Sequence, residues 1–271
     1  MTSYAYDHPV ILGPHCLRLT PRPDCYDSLI ERTLSIFPKP SHLSASLEND
    51  GSISHWARFE GETKVFSVES KIRISLIKDK NPFDFLIYPE SCLTLPMVYP
   101  QLVAREMRTF LMKDQVSALV RDFAFEVLAK AQGSCMDFLV MLSQRIKKDF
   151  VYESRPAGAP FQPEDTLVSQ RGSCRDFAIL YMSAAQSVGL AARFVSGYYF
   201  DENPQSPDLH AWVEVYIPGG GWRGFDPSLG LACGEYHIAL ATSAGAAGAA
   251  PIQGVFKGHA QAAMTLELEF N

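Results

Sequence analysis

The sequence predicts an α+β protein in two parts: a β-sandwich-like N-terminal domain over residues 1–108 and a mixed domain over residues 109–271. Three observations carry this. The first hundred residues alternate apolar and polar side chains in short runs cut by prolines and turns. Helical spacing takes over near residue 110. An apolar helix then precedes runs rich in β-branched and aromatic residues.

In chain order, "HCLRLTPRP" (His15–Pro23) and "SLIERTLSIFPKP" (Ser28–Pro40) alternate like strands and each stops at prolines. "ENDGS" (Glu48–Ser52) is a turn signal between strand-like runs, and "TKVFSVESKIRISLI" (Thr63–Ile77) is a long alternating strand. "KDQVSALVRDFAFEVLAKAQG" (Lys113–Gly133) has helical spacing and a glycine stop. "SCMDFLVMLSQRIKKDFVY" (Ser134–Tyr152) opens on a serine N-cap and turns basic near its end, as the helix dipole favours. "ESRPAGAPFQPEDTLVSQ" (Glu153–Gln170) reads as a long surface loop, a type of segment that often carries function. "RDFAILYMSAAQSVGL" (Arg175–Leu190) is apolar on most faces, so it is a central helix, ended by Gly189. "AARFVSGYYF", "HAWVEVYI" and "GGWRGFDP" follow as strands, "TSAGAAGAAP" (Thr242–Pro251) as a flexible loop and "AMTLELEF" as a last strand.

The bulk numbers narrow the function. Of 271 residues, 47% are hydrophobic and 20% charged, as in an ordinary globular protein with a sizeable core. A net charge of −6 with no Lys/Arg run argues against a nucleic-acid partner. The opening "MTSYAYDHPVILG" lacks the basic and apolar regions of a secretory signal, and no window approaches the roughly 18 apolar residues of a membrane span. Cys16, Cys25, Cys92, Cys135, Cys174 and Cys233 are scattered, which suits reduced thiols in a cytoplasmic protein. None has zinc spacing. His15-Cys16 and Cys25 come closest, and they read as ordinary residues of the β region, so neither metal nor cofactor is expected.

Three segments place a reactive side chain beside bulky apolar neighbours: "RGSCRDFA" with Cys174, "LHAWVEVY" with His210 and "GWRGFDPS" with Asp226. Cys174 follows a Gly-Ser turn at a helix start, where free N–H groups and the helix dipole favour thiolate. Thiol chemistry at neutral pH needs a base for the thiol proton and a third group to orient that base. His210 and Asp226 stand 16 residues apart around Pro218 and Gly219–Gly221, a strand–turn–strand pattern that brings them to one face of a hairpin. Each residue alone has an ordinary reading: a structural cysteine, a half-buried histidine, an Asp-Pro turn opener.

Taken together, "GSCRDFA … HAWVEVY … GWRGFDPS" resembles the transglutaminase-like superfamily, with its order of Cys, His-x-Trp-x-Glu and Trp followed by Asp-Pro. The opening "YAYDHPVILGPHCLRLTPRP" is similar to the β-rich N-terminal region of two-part bacterial members, and "EYHIALATSAGAAGAAPIQGVFKG" to their C-terminal segment. The resemblance implies a papain-like, transglutaminase-like catalytic core over 109–271. In it Cys174 is the nucleophile, His210 the general acid/base and Asp226 the orienting residue. It departs at Arg175, where many bacterial relatives carry Gln, and at "TSAGA", where they tend to carry a Gly-Arg-Asp run. Nothing resembles the calcium sites of animal transglutaminases, so no metal is expected.

Supporting roles are expected for several neighbours. The Cys174 N–H and the Gln170 side chain are candidate oxyanion donors. Asp176 complements the helix N-terminus. Trp212 and Trp222 are candidate walls. Glu214 shares a strand face with His210 and Trp212 and is expected to have a buried ion partner. Tyr198, Tyr199 and "DENPQSPD" (Asp201–Asp208) are candidate groove residues. The resulting expectation is cysteine-dependent acyl transfer on a peptide or protein amide through a thioester, with water or an amine as acceptor. Arylamine-acetyltransferase-like chemistry from a coenzyme A thioester, or a binding protein that keeps the fold, stand as alternatives.

Overall fold

A computed structural model describes residues 1–77, 81–112, 116–155, 158–200 and 208–269. The architecture is mixed α and β. The first five strands are β1 (Thr2–Thr20), β2 (Ser28–Phe37), β3 (His42–Leu47), β4 (Ile53–Arg58) and β5 (Glu62–Ser75). They form one antiparallel sheet in the order β2-β5-β1-β4-β3. Its register breaks along β1, between Ala5 and Val10 against β5 and between Leu17 and Thr20 against β4, and such breaks bend a strand. The result is a half-barrel around Val10, Leu12, Leu17, Phe59 and Phe66. The "ENDGS" turn lies between β3 and β4, closed by Glu48 and Ser52.

The stretch 81–110 does not continue the β pattern. Pro82, Pro89, Pro96 and Pro100 each lack a ladder donor, so the chain runs irregularly and then forms the short helix α1 (Gln101–Glu106). Cys92, Leu95, Met97 and Tyr99 pack into the core of the following half instead.

That core is built on α2 (Ala118–Lys130) and α3 (Cys135–Asp149), capped by the Ser117 and Ser134 side chains. The first residues of the expected 113–133 helix, 113–115, lie outside the described residues. A two-stranded parallel pair, β6 (Val151–Tyr152) and β7 (Arg171–Gly172), flanks α4 (Pro163–Ser169). The helix α4 corrects the expected loop. Pro163 sits in its first turn beside Glu164 and Asp165, and both features favour a helix start.

The central helix is α5 (Cys174–Ser187). It packs on an antiparallel sheet of order β11-β10-β9-β8-β12, made of β8 (Ala192–Tyr199), β9 (Asp208–Ile217), β10 (Gly221–Asp226), β11 (Leu231–Ala232) and β12 (His237–Ser243). Ala211, Val213, Val215 and Ile217 face the helical core. His210, Trp212 and Glu214 alternate to the other face.

The last strands, β13 (Ile252–Lys257) and β14 (Ala262–Leu266), return to pair with β1. The expected flexible loop at 242–251 is ordered by its contacts. Thr242 donates its N–H and hydroxyl to Asp50 Oδ2 at 2.7 and 2.9 Å, and Ala249 is fully buried with its carbonyl bonded by Ser196. Among the described residues, no helix is long and apolar enough to cross a membrane.

Candidate active site

Cys174 opens α5 and is 7% exposed. The turn before it is held by one carboxylate. Asp176 Oδ2 accepts the Ser173 N–H at 2.7 Å and the Ser173 hydroxyl at 2.8 Å, while Oδ1 accepts Arg155 Nη2 at 2.6 Å and the Phe161 N–H at 2.8 Å. Burial works against charge on Asp176, but these donors outweigh it and hold the carboxyl below its ordinary range. Asp176 is thus a clamp that ties Arg155 and Phe161 to the helix start. Gly172 permits it, because a Cβ there would press on the Asp176 side chain.

The register of β9 on β10 pairs Phe225 with Val213, which sets Asp226 opposite Trp212 and diagonal to His210. The diagonal is short enough: Asp226 Oδ2 lies 2.6 Å from His210 Nε2. The other oxygen, Oδ1, accepts the N–H groups of Ser228 at 2.8 Å and Leu229 at 3.2 Å. One oxygen of Asp226 thus faces His210, and the other accepts the N–H groups of the turn after Asp226-Pro227. Burial works against charge on Asp226, and His210 and its hydrogen bonds outweigh it, so the carboxyl lies far below the usual range.

His210 is nearly buried, which by itself disfavours its charge. Asp226 outweighs this first by its charge and then by its hydrogen bond, and a hydrogen bond and charge interaction with Cys174 add to it. The imidazole is pushed up to about 10. With Nε2 on Asp226, Nδ1 is the nitrogen left for the thiol. Burial pushes the Cys16, Cys25, Cys92 and Cys135 thiols up, Cys25 and Cys135 to about 12. None of these four has the His–Asp partnership that Cys174 has.

The neighbours are arranged unequally. Trp212 is 1% exposed, with its ring centre 6.2 Å from that of His210. Its ring crosses Gly197 of β8, where a Cβ would collide with it and with the Ile238 carbonyl. Trp222 lies along the sheet at the guanidinium of Arg193, 4.0 Å away, and walls the Glu214 cluster rather than the Cys–His–Asp group. The ion partners expected for Glu214 are Arg22, arriving from the end of β1, and Arg193 on β8. Gln170 is exposed, in the left-handed conformation that ends α4, and its carbonyl accepts the Val151 N–H. Tyr199 stands 5.7 Å from His210, ring to ring. Residues 201–207 of the expected groove loop lie outside the described residues.

Between the half-barrel and the core lies a cavity of about 330 Å³. Tyr4, Leu19, Val68 and Met264 line it from one side, and Arg175 and Leu209, the chain neighbours of Cys174 and His210, from the other. Among the described residues, no group of three or more His, Cys, Asp or Glu side chains is placed to hold a metal ion.

Two partners were not legible in the sequence. His237, at the start of β12, is buried and reaches Asp226 with its ring. Arg155 binds Asp176 from the proline- and glycine-rich stretch. The only sequence signal for His237 is its place in the segment "EYHIALATS", which resembles the family's C-terminal segment.

Comparison with known proteins agrees with this architecture. The family model described as the transglutaminase-like superfamily matches residues 121–227, and that described as the bacterial transglutaminase-like N-terminal region matches residues 1–75. An uncharacterised protein of Mycobacterium tuberculosis is 25% identical over 270 residues, covering 94% of this chain and 85% of that protein. A protein-glutamine gamma-glutamyltransferase of Pseudomonas aeruginosa is 29% identical over 116 residues, 39% of this chain and 17% of that protein. A candidate cysteine protease from Cytophaga hutchinsonii, known by its crystal structure, shares the fold at TM-score 0.63 and 19% identity, covering 100% of this chain and 91% of that one.

Proposed function

From the premise that this chain joins a bacterial transglutaminase-like N-terminal region to a transglutaminase-like core, we propose that it is a cysteine-dependent enzyme acting on amide bonds. The single observation that carries the reading is the buried line from Asp226 Oδ2 through His210, 2.6 Å away, to Cys174 at the first residue of α5.

The chemistry follows from that line. A proton held on His210 opposite the sulfur leaves Cys174 to react as thiolate. The sulfur attacks the amide carbonyl carbon, a C–S bond forms and the carbonyl oxygen becomes an oxyanion. N–H groups at the start of α5, that of Cys174 first, face the developing charge, and the helix dipole adds to them. His210 passes its Nδ1 proton to the amide nitrogen as the C–N bond breaks, which releases the amine and leaves a thioester. Water or a second amine then attacks the thioester and gives a proton to His210. The C–S bond breaks and the thiolate–imidazolium pair is restored. Asp226 stays ionised throughout and fixes the ring. The cavity beside Arg175 and Leu209 would take the substrate, with the half-barrel as one of its walls.

The test is direct. The protein is incubated with a panel of glutamine-containing and other peptides, with and without a primary amine, and intact mass is recorded. An acyl adduct on Cys174, absent in Cys174→Ala, supports the reading. The product masses then separate hydrolysis from aminolysis. A turnover rate undiminished in Cys174→Ala refutes it.

A further inference from the structure

Asp226 is held by more than the catalytic reading requires. Its Oδ2 is approached by two imidazoles, His210 Nε2 at 2.6 Å and His237 Nε2 at 3.1 Å. Its Oδ1 takes the two backbone N–H groups of Ser228 and Leu229. An ionised carboxylate offers about four lone-pair sites, and here four donors fill them.

His237 can only be a donor at that contact. The Gly234 N–H points at its Nδ1, at 3.4 Å, so Nδ1 is the accepting nitrogen and the ring proton sits on Nε2. The same turn fixes the ring from the backbone, since the His237 N–H donates to the Gly234 carbonyl at 3.3 Å. The side chain is 4% exposed. It is packed between Tyr199, 4.8 Å away ring to ring, and Trp212, 5.3 Å away, the two aromatics that also flank His210. The crossing from β11 to β12 that delivers His237 passes over Gly224, where a Cβ would meet Cys233. Behind the ring, a small cavity is lined by Arg22, Asp24, Glu214 and Arg223 with the thiols of Cys25 and Cys233.

We propose that His237 is a positioning residue: its Nε2–H donates to Asp226 Oδ2 and fixes the plane of the carboxylate, so that the same oxygen stays in line with His210. This rests on the reading of Cys174, His210 and Asp226 as the reacting group. A carboxylate has one soft torsion next to its head group, and the two backbone donors on Oδ1 act on one oxygen only. The His237 bond fixes the second oxygen. A partner that orients a reactive imidazole's carboxylate acts through it on the thiol, just as outer partners of metal-ligating histidines tune the metal.

The experiment measures alkylation of Cys174 by iodoacetamide, by mass spectrometry, across about pH 5 to 9, in wild type, His237→Phe, His237→Gln and His210→Ala. Phe keeps the ring and loses the donor, whereas Gln places an amide N–H near the original Nε2. His237→Phe is expected to label roughly tenfold more slowly near neutral pH, the usual scale for such partners, and to need a higher pH for half-maximal rate. His237→Gln is expected to recover most of both. Nitrogen NMR of the wild-type protein, which needs no variant to fold, is expected to show a proton on His237 Nε2. Three results overturn the proposal: His237→Phe labelling like wild type, Phe and Gln equally impaired at unchanged thermal midpoints, or a wild-type ring with its proton on Nδ1. Wild-type labelling in His210→Ala refutes the Cys–His–Asp reading instead, a distinguishable outcome.

Discussion

Arg22 donates from both terminal nitrogens to Glu214, Nη2 to Oε1 at 2.7 Å and Nη1 to Oε2 at 3.1 Å, across 192 positions of sequence. Arg193 adds a bond from Nε to Oε2 at 2.8 Å, and Arg22 also grips Asp24. Burial works against charge on Glu214, but the two guanidinium charges outweigh it and hold the carboxyl below its ordinary range. The residue that leaves the half-barrel is thereby bolted to the strand face that carries His210 and Trp212.

Arg22→Ala is expected to lower unfolding stability by about 3 kcal/mol, because a buried carboxylate loses a bidentate partner. Urea denaturation measures this. Arg22→Lys is expected to recover little of it, since an ammonium cannot reproduce the planar fork. A loss of a few tenths of a kcal/mol in Arg22→Ala would show the link to be dispensable.

The His210–Asp226 pair makes stability pH-dependent on both sides. The folded-state pKa of His210 is raised to about 10, so its contribution is fully present below the ordinary imidazole value of about 6.5 and is lost as pH rises towards 10. Asp226 is lowered, so its contribution is present above the ordinary value of about 3.9 and is lost as pH falls below it. Thermal midpoints across this range are expected to show both slopes in wild type. In Asp226→Asn the alkaline slope should flatten, because the imidazole loses the charge that raises it. An unchanged alkaline slope would contradict the assignment.

Asp226→Asn is expected to cost roughly ten-thousandfold in turnover, the scale seen when the orienting carboxylate of such a triad is neutralised. The Asn carbonyl can still serve the Ser228 and Leu229 N–H groups, so circular dichroism should show a folded protein. A fold-intact variant with full activity would remove Asp226 from the mechanism.

Gly197→Ala tests the floor under His210. The added Cβ meets the Trp212 ring and the Ile238 carbonyl, and the carbonyl cannot move aside as a side-chain end can. About 1–3 kcal/mol of stability should be lost, with slower turnover as Trp212 shifts. Full stability and activity together would mean that the two strands have slack there.

The grouping of Cys174, His210 and Asp226 was legible because each stood in a telling context: a helix start for Cys174, a strand for His210 and a strand end for Asp226. Gly219–Gly221 announced the hairpin, and alternation placed Glu214 on the His210 face. What the sequence hid was long-range satisfaction of buried charge. Arg22 and His237 are chosen by the fold, not by local pattern, because a buried carboxylate takes whatever donor topology delivers. Asp176, read as complementing the helix N-terminus, does so by accepting from Ser173, but its bonds to Arg155 and Phe161 were hidden, and Gln170 is exposed at the end of α4. The helix α4 itself was hidden by the prolines and glycine around it, one of which, Pro163, is its first-turn residue.

The most direct test of the central claim is the pH profile of Cys174 alkylation in wild type against His210→Ala. The account predicts that wild-type Cys174 labels fast well below the free-thiol value of about 8.5, ahead of the other five cysteines, and that His210→Ala loses this advantage. Labelling of Cys174 at the pace of the other cysteines, unchanged in His210→Ala, would contradict it and leave Cys174 as a residue that merely begins a helix.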